Sequence, residues 1–434
     1  MSKRFKISPG GQLAGTIRIP GDKSISHRSV ILGALAEGIT HVSGLLEGED
    51  VLATITAFRA MGVNIEGPDE GRLVIRGMGL HGLSQPQHDL DMGNSGTAMR
   101  LLSGLLSGQP FPSCLSGDKS LSGRPMRRVV DPLTEMGAQI STAKGGTPPL
   151  QINPANGLRG IHYQMPMASA QVKSCLLLAG LYAEGKTCIT EPAPTRDHTE
   201  RMLRGFGYPV TSDGPRVCLE PGFRLTATDM AVPGDISSAA FFIVGASIAP
   251  GSRVEIKNVG INPTRTGILF ILKQMGADIE LKNERTVGGE PVADLIVQSA
   301  PLHGIHIDEA HVPLAIDEFP AILIAAAVAS GETILSGAAE LRVKESDRIA
   351  AMARGLTNIG VDITETADGM RVQGSQIQGG TVDSHGDHRI AMAFAMAGLM
   401  SNTEIVIDDC DNVATSFPDF HSLAASCGLE ITVI

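Results

Sequence analysis

One pattern returns six times along the chain and dictates its architecture. A helix-like segment ends in a glycine, and a short alternating strand follows. The six marks are Met61-Gly62-Val63-Asn64-Ile65, Met136-Gly137-Ala138-Gln139-Ile140, Phe206-Gly207-Tyr208-Pro209-Val210, Met275-Gly276-Ala277-Asp278-Ile279, Ile359-Gly360-Val361-Asp362-Ile363 and Cys427-Gly428-Leu429-Glu430-Ile431. The glycines fall about 70 to 85 residues apart. Each is placed to close an amphipathic helix in the left-handed conformation that glycine reaches without steric cost. The alternation after it is that of a strand. Between the marks lie six further segments, apolar nearly all round and rich in Ala, Gly and Ser. They begin near Ser29, Thr97, Ala170, Ser238, Pro320 and Ile390. Helices without a polar face belong inside a domain. The repeating unit reads as a buried helix, a strand, a surface helix, a glycine and further strand.

A chain of 434 residues is too long for one ordinary core. Six units of about 72 residues predict an α/β (α+β) fold in two domains of three units each. Buried helices would point inward and sheets outward, in an inside-out, barrel-like arrangement. The boundary is expected at Val232-Pro233-Gly234-Asp235, giving residues 21–234 as one domain and residues 1–20 with 235–434 as the other. The opening strand Thr16-Ile17-Arg18-Ile19, which stops at Pro20, is thereby assigned to the second domain.

Composition removes several classes of function. A net charge of −11, no Trp and three Tyr argue against nucleic acid, whose binders need basic grooves and aromatic platforms. The six cysteines (Cys114, Cys175, Cys188, Cys218, Cys410, Cys427) are scattered, without CxxC or paired metal spacing. They are expected as reduced thiols of a cytoplasmic protein. No apolar run follows Met1-Ser2-Lys3-Arg4, so no secretory leader is expected. The longest apolar runs, such as Ala321 to Ala329, are about ten residues and too short to span a bilayer. His385 and His388 have the spacing of two metal ligands, but no third ligand cluster accompanies them, and no metal is expected.

The chemistry-bearing residues gather at the starts of the buried helices. The first start is Gly21-Asp22-Lys23-Ser24-Ile25-Ser26-His27-Arg28, which opens the buried segment Ser29 to Ala36. The second carries Gly93-Asn94-Ser95-Gly96-Thr97, with Arg100 one turn on. The third carries Ser169 and Gln171, and the fourth Asp235, Ser237 and Ser238. The fifth carries Asp317 and Glu318, the sixth His385-Gly386-Asp387-His388-Arg389. Unpaired N–H groups and the helix dipole favour an anion at such ends. If all six point into the crevice between the domains, their dipoles add to a positive field in an acidic protein. Further cations are Arg124, Arg196, Lys344 and Arg348, and several separated arginines suggest more than one carboxylate or phosphate group. Each feature has an ordinary reading as well: a polar cap at Lys23, a short turn at Gly93, capping acids at Asp317 and Glu318, an exposed helix start at Lys344 to Arg348.

The motifs Pro20-Gly21-Asp22-Lys23-Ser24, Asn94-Ser95-Gly96-Thr97-Ala98-Met99-Arg100, Arg124-Pro125-Met126, Lys344-Glu345-Ser346-Asp347-Arg348 and Gly386-Asp387-His388-Arg389 together resemble the 5-enolpyruvylshikimate-3-phosphate synthase family, nearly end to end. The resemblance implies two domains of three βαβαββ units and transfer of the enolpyruvyl group of phosphoenolpyruvate to the 5-hydroxyl of 3-phosphoshikimate. It implies no cofactor, no metal and, as partners, only these small molecules; a monomer is expected. By the same resemblance Lys23, Ser24, Arg28, Ser169, Ala170, Gln171, Arg196, Asp317 and Lys344 would hold 3-phosphoshikimate. Lys23, Asn94, Gly96, Arg124, Gln171, Arg348 and Arg389 would face phosphoenolpyruvate. Asp317 is the implied base, Glu345 the implied proton donor, and Lys23 the charge opposite the leaving phosphate.

One departure stands out. Many members carry a phosphate-contacting lysine just before Thr-Phe-Pro, where this chain has Thr415. Gly96 is kept, which implies room for the inhibitor glyphosate. The sister transferase acting on UDP-N-acetylglucosamine places a reactive cysteine five residues before its Arg-Pro pair, where this chain has Lys119. A fold relative without chemistry is disfavoured by the full set of charged residues. A relative of the RNA 3′-phosphate cyclase type is disfavoured by the negative charge.

Overall fold

The computed structural model describes residues 2–434. Among the described residues six buried helices alternate with six surface helices. The buried set is α1 (Lys23–Leu35), α3 (Gly96–Ser107), α5 (Ala170–Gly180), α7 (Ile236–Ile248), α9 (Phe319–Val328) and α11 (His388–Ala397). The surface set is α2 (Glu49–Ala60), α4 (Arg127–Glu135), α6 (His198–Gly205), α8 (Gly267–Gln274), α10 (Arg348–Asn358) and α12 (Phe420–Ser426). Each surface helix runs into one of the six repeat glycines, and all six have positive φ, from 80° at Gly207 to 112° at Gly428. The left-handed turn reverses the chain, and a strand begins within three residues, as at Asn64, Gln139, Val210, Asp278, Asp362 and Ile431.

The first helix starts earlier than the apolar pattern alone suggests. Asp22 caps α1, its side chain accepting from the Ile25 N–H at 2.9 Å. Lys23 to Arg28 therefore form the first turns of the helix rather than a lead-in to it. Arg28 and His27 are buried with the apolar residues that follow.

The chain forms two compact units. One comprises Gly21–Val232 with Val287–Gly289; the other comprises the described residues before Gly21, Pro233–Thr286 and Glu290–Ile434. In the first unit each repeat has an open four-stranded sheet. The strand Glu37–Ser43 pairs antiparallel with Arg72–Met78, which forms a hairpin with Asn64–Asp69. Thr40 lies opposite Ile75, and both are buried. A short parallel strand completes each sheet's far edge. For the second and third repeats this strand precedes the buried helix in sequence, as Leu90–Asp91 and His162–Gln164 do. For the first repeat it is Met230–Ala231, pairing with Val42 and Ser43. The strand ahead of α1, Ala14–Arg18, instead pairs parallel with Arg253–Lys257 in the other unit. In that unit Phe5–Ile7 also lies between Ile405–Asp408 and Ile431–Val433. None of these sheets closes on itself, so the inside-out units are not barrels in the strict sense.

A glycine sets the spacing of two core helices in the first unit. A Cβ at Gly104 of α3 would lie 2.0 Å from the Cys175 carbonyl oxygen of α5, so the two helices touch backbone to backbone. Small residues on buried helices permit this approach, and denser packing follows from it. One sequence expectation fails. Cys188 and Cys218, directly opposite on antiparallel strands, form a disulfide with Cα atoms 4.1 Å apart. Only Cys114, Cys175, Cys410 and Cys427 remain thiols, all buried. The two cysteines are 30 residues apart in sequence, and their pairing follows from strand register, which cysteine spacing does not reveal.

Candidate functional site

In the first unit the starts of α1, α3 and α5 are tied together by their own polar side chains. Lys23, the first residue of α1, forms an ion pair with Asp50 of α2. His27 links three helices: Nδ1 meets Thr54 Oγ1 at 2.8 Å and Nε2 meets Ser95 Oγ at 3.4 Å. Burial, reinforced by the charges of Lys23 and Arg28, holds the imidazole pKa well below its usual value, so the ring is neutral at pH 7. Ser95 caps α3 by accepting from Ala98 N–H.

Asn94 and Arg124 form a second knot. Arg124 Nη2 donates to Asn94 Oδ1 at 2.6 Å, and Asn94 Nδ2 donates to Asp118 at 2.7 Å. Gly96 faces this guanidinium: a Cβ there would sit 3.0 Å from Arg124 Nη1. Gln171 bridges α5 to α3, accepting from Arg100 and donating to Thr97 Oγ1 at 2.9 Å. Ser169 caps α5, accepting from Val172 N–H, and Ala170 opens the helix. Arg28 folds back to donate to the Ser24 carbonyl at 2.9 Å, and also donates to Thr199 and Ser174 at 2.7 Å each. Arg196 lies in the loop before α6.

In the second unit the center is Arg348, 1% exposed at the start of α10. Three carboxylates surround it. Nε donates to Asp387 Oδ2 at 2.8 Å, Nη2 to Glu345 Oε2 at 2.6 Å, and Nη1 to Asp317 Oδ1 at 3.3 Å. Lys344 Nζ stands 3.7 Å from the same Asp317 oxygen, and Arg389 Nη1 donates to the Asp317 carbonyl at 3.1 Å. Burial disfavours the charge on Arg348, but the three acids outweigh it, and its pKa moves up. Burial likewise pushes Asp387 up, yet the Arg348 charge prevails and the carboxyl is held below its usual range. Asp387 has a second task as cap of α11, accepting from Arg389 N–H at 2.9 Å. Ser346 also donates to it, at 3.0 Å.

Asp317, Lys344, Glu345, Arg348 and Arg389 thus form one cluster, drawn from three separate helix starts. Thr415 is buried, and its hydroxyl donates to the Asn412 carbonyl at 2.7 Å inside a short helical turn. Sequence reading left Arg100, Asp50 and Asp387 out of the site. Arg100 and Asp387 stood within the quoted motifs, whereas nothing around Asp50 singled it out.

A family model described as EPSP synthase (3-phosphoshikimate 1-carboxyvinyltransferase) matches residues 7–423. The chain belongs to the EPSP synthase family. A relative from Methylococcus capsulatus named 3-phosphoshikimate 1-carboxyvinyltransferase is 65% identical over 429 residues, spanning 99% of this chain and 98% of its own. One of the same name from Alkalilimnicola ehrlichii is 63% identical, over 99% of this chain and 96% of its own. The solved structure of an EPSP synthase from Acinetobacter baumannii superposes with a TM-score of 0.90 at 57% identity, covering all of both chains. Among the described residues no helix is long and apolar enough to cross a membrane.

Proposed function

We propose that the two polar clusters serve one reaction, the transfer of the 1-carboxyvinyl group of phosphoenolpyruvate to the 5-hydroxyl of 3-phosphoshikimate with release of phosphate. Family membership supports the overall reaction. The observation that supports the residue roles is the convergence of Asp317, Glu345 and Asp387 on buried Arg348, with Lys344 and Arg389 beside Asp317.

In this reading Lys23, Ser24, Arg28, Ser169, Ala170, Gln171, Arg196, Asp317 and Lys344 bind the acceptor. Lys23, Asn94, Gly96, Arg124, Gln171, Arg348 and Arg389 receive phosphoenolpyruvate, the last two arginines taking its carboxylate. Asp317 accepts the 5-hydroxyl proton as that oxygen adds to C2 of the enol. Glu345 delivers a proton to the methylene carbon, giving a tetrahedral intermediate. The C2–O bond to phosphate then breaks, a methyl proton returns to Glu345, and Lys23 neutralises charge on the departing group. The proton held by Asp317 leaves with phosphate or solvent.

The Arg348 contacts add a step to this scheme. Its guanidinium donors are engaged by the protein's own acids, so an incoming carboxylate must displace some of them. Displacement moves Glu345 off the arginine, which the proton transfer assigned to it requires. The reading extends to a monomer, which sedimentation of the purified protein checks.

The test of function is phosphate release from phosphoenolpyruvate with either 3-phosphoshikimate or UDP-N-acetylglucosamine as acceptor. Release with 3-phosphoshikimate alone supports the reading. Release with the sugar nucleotide alone, or with neither, refutes it.

A further inference from the structure

A lysine side chain is seldom fully buried unless opposite charge meets it. Lys173 is 1% exposed and stands in the first turns of α5, four residues after Ser169. Its Nζ meets Glu191 Oε2 at 2.9 Å and Glu200 Oε1 at 2.7 Å; Glu200 is buried and Glu191 partly so. The reaction scheme above uses none of the three.

The two acids bracket one loop. Glu191 follows the strand Thr187–Thr190, and Glu200 lies in the first turn of α6. Between them come Thr195, Arg196 and Asp197. Glu191 Oε1 also accepts from the Thr195 hydroxyl, which closes the loop onto the same lysine. Beside Glu200, Thr199 donates to Ser174 Oγ at 2.7 Å, and Arg28 donates to both hydroxyls. One buried patch therefore fixes the start of α5, the guanidinium of Arg28 and the loop that carries Arg196.

We propose that Lys173 is a positioning residue for acceptor binding: its ammonium holds the 191–197 loop against α5, so that Arg196, Arg28 and Ser169 stay placed for the acceptor. The proposal rests on the reading of those three residues as acceptor ligands. Displacements of about an ångström in a preorganised site cost roughly ten- to a hundredfold. Removing the ammonium therefore weakens acceptor binding while leaving the phosphoenolpyruvate ligands Arg124, Arg348 and Arg389 untouched, and Gln171 of α5 keeps its own anchors, Arg100 and Thr97 of α3.

Steady-state kinetics of Lys173→Met, Thr195→Ala, Arg196→Ala and the Lys173→Met/Arg196→Ala pair test this. Thr195→Ala cuts the loop tether without uncovering a charge, and keeps the test decisive if Lys173→Met does not fold. The expected result is a KM for 3-phosphoshikimate raised about tenfold or more by Lys173→Met and less by Thr195→Ala. KM for phosphoenolpyruvate and kcat should stay within about twofold, and Lys173→Met should add little once Arg196 is gone, as for residues acting through one contact. Parallel losses in both KM values, an undiminished effect in the Arg196→Ala background, or an unchanged acceptor KM in both single variants overturns the proposal. An Arg196→Ala enzyme with normal acceptor KM instead refutes the ligand reading beneath it, and the proposal falls with that reading.

Discussion

Asp387 offers the sharpest test of how the second cluster is held together. Its carboxylate is fully buried, accepts two bonds from Arg348 at 2.8 and 3.3 Å, accepts one from Ser346, and caps α11 through Arg389 N–H. Replacing it with Ala removes one partner of a buried ion pair, which costs about 3–5 kcal/mol. It also removes a helix cap, worth about 1 kcal/mol. Arg348 keeps Glu345 and Asp317, so the lower end applies and the expected loss is about 4 kcal/mol. Asp387→Asn retains a good capping side chain and should lose about 1 kcal/mol less than Ala. Urea unfolding followed by far-UV circular dichroism reads both, with attention to the transition of the unit that contains Arg348, since a two-unit chain can unfold in two steps. The pH dependence has a definite sign. A carboxyl held below its ordinary value of 3.8 contributes stability that is complete above that value and is lost as pH falls through the folded-state pKa. The gap between wild type and Asp387→Asn should be flat from about pH 6 to 8 and shrink in acid. A loss under about 1 kcal/mol for Asp387→Ala, or a gap that widens in acid, would refute the reasoning.

Glu345→Gln should lower kcat by about 10²- to 10⁴-fold with little change in stability, and should abolish solvent-proton exchange into the methylene of phosphoenolpyruvate. Retained exchange would move the proton role to another residue. Gly96→Ala sets a methyl carbon 3.0 Å from Arg124 Nη1, an arginine already fixed by Asn94, so KM for phosphoenolpyruvate should rise several-fold with kcat nearly kept. The wild-type enzyme, with that space open, should be inhibited by glyphosate. An inhibition curve that stays flat well above the concentrations that block sensitive members counts against it. Thiol titration of the denatured, unreduced protein should count four cysteines, and six after reduction. Cys218→Ser should lower stability by about 3.7 kcal/mol, as expected for a cross-link closing a loop of 30 residues.

The repeat was legible because each unit spends a glycine at the same point. Gly62, Gly137, Gly207, Gly276, Gly360 and Gly428 all take positive φ, which other residues resist, so the chain must show them in the sequence. The buried helices were equally plain, since a segment such as Phe319–Val328 has no polar face to leave in water. The start of α1 was less so. Its first turns are polar because Lys23 and Arg28 are held by Asp50, Thr199 and Ser174, partners that lie far away in sequence. For the same reason the Cys188–Cys218 bond was hidden: it depends on which residues of two strands fall opposite each other.

The candidate site divides along the same line. Lys23, Gly96, Arg124, Asp317, Glu345, Arg348 and Arg389 could be picked out because they sit in short motifs at helix starts. What could not be read is how strongly they already bind one another. Arg348 spends its hydrogen bonds on three acids of its own unit, and Arg124 donates to Asn94. Arginines left unpaired at a buried site would carry a large desolvation cost in the free protein. Lending them carboxylates removes that cost but makes each anion that binds compete with an internal one. The residues that lend, Glu345 and Asp317, are those to which the proton transfers are assigned. On the proposed roles, filling Arg348 and releasing these two carboxylates are one event, since the anion that binds takes the place of the acids that act on it.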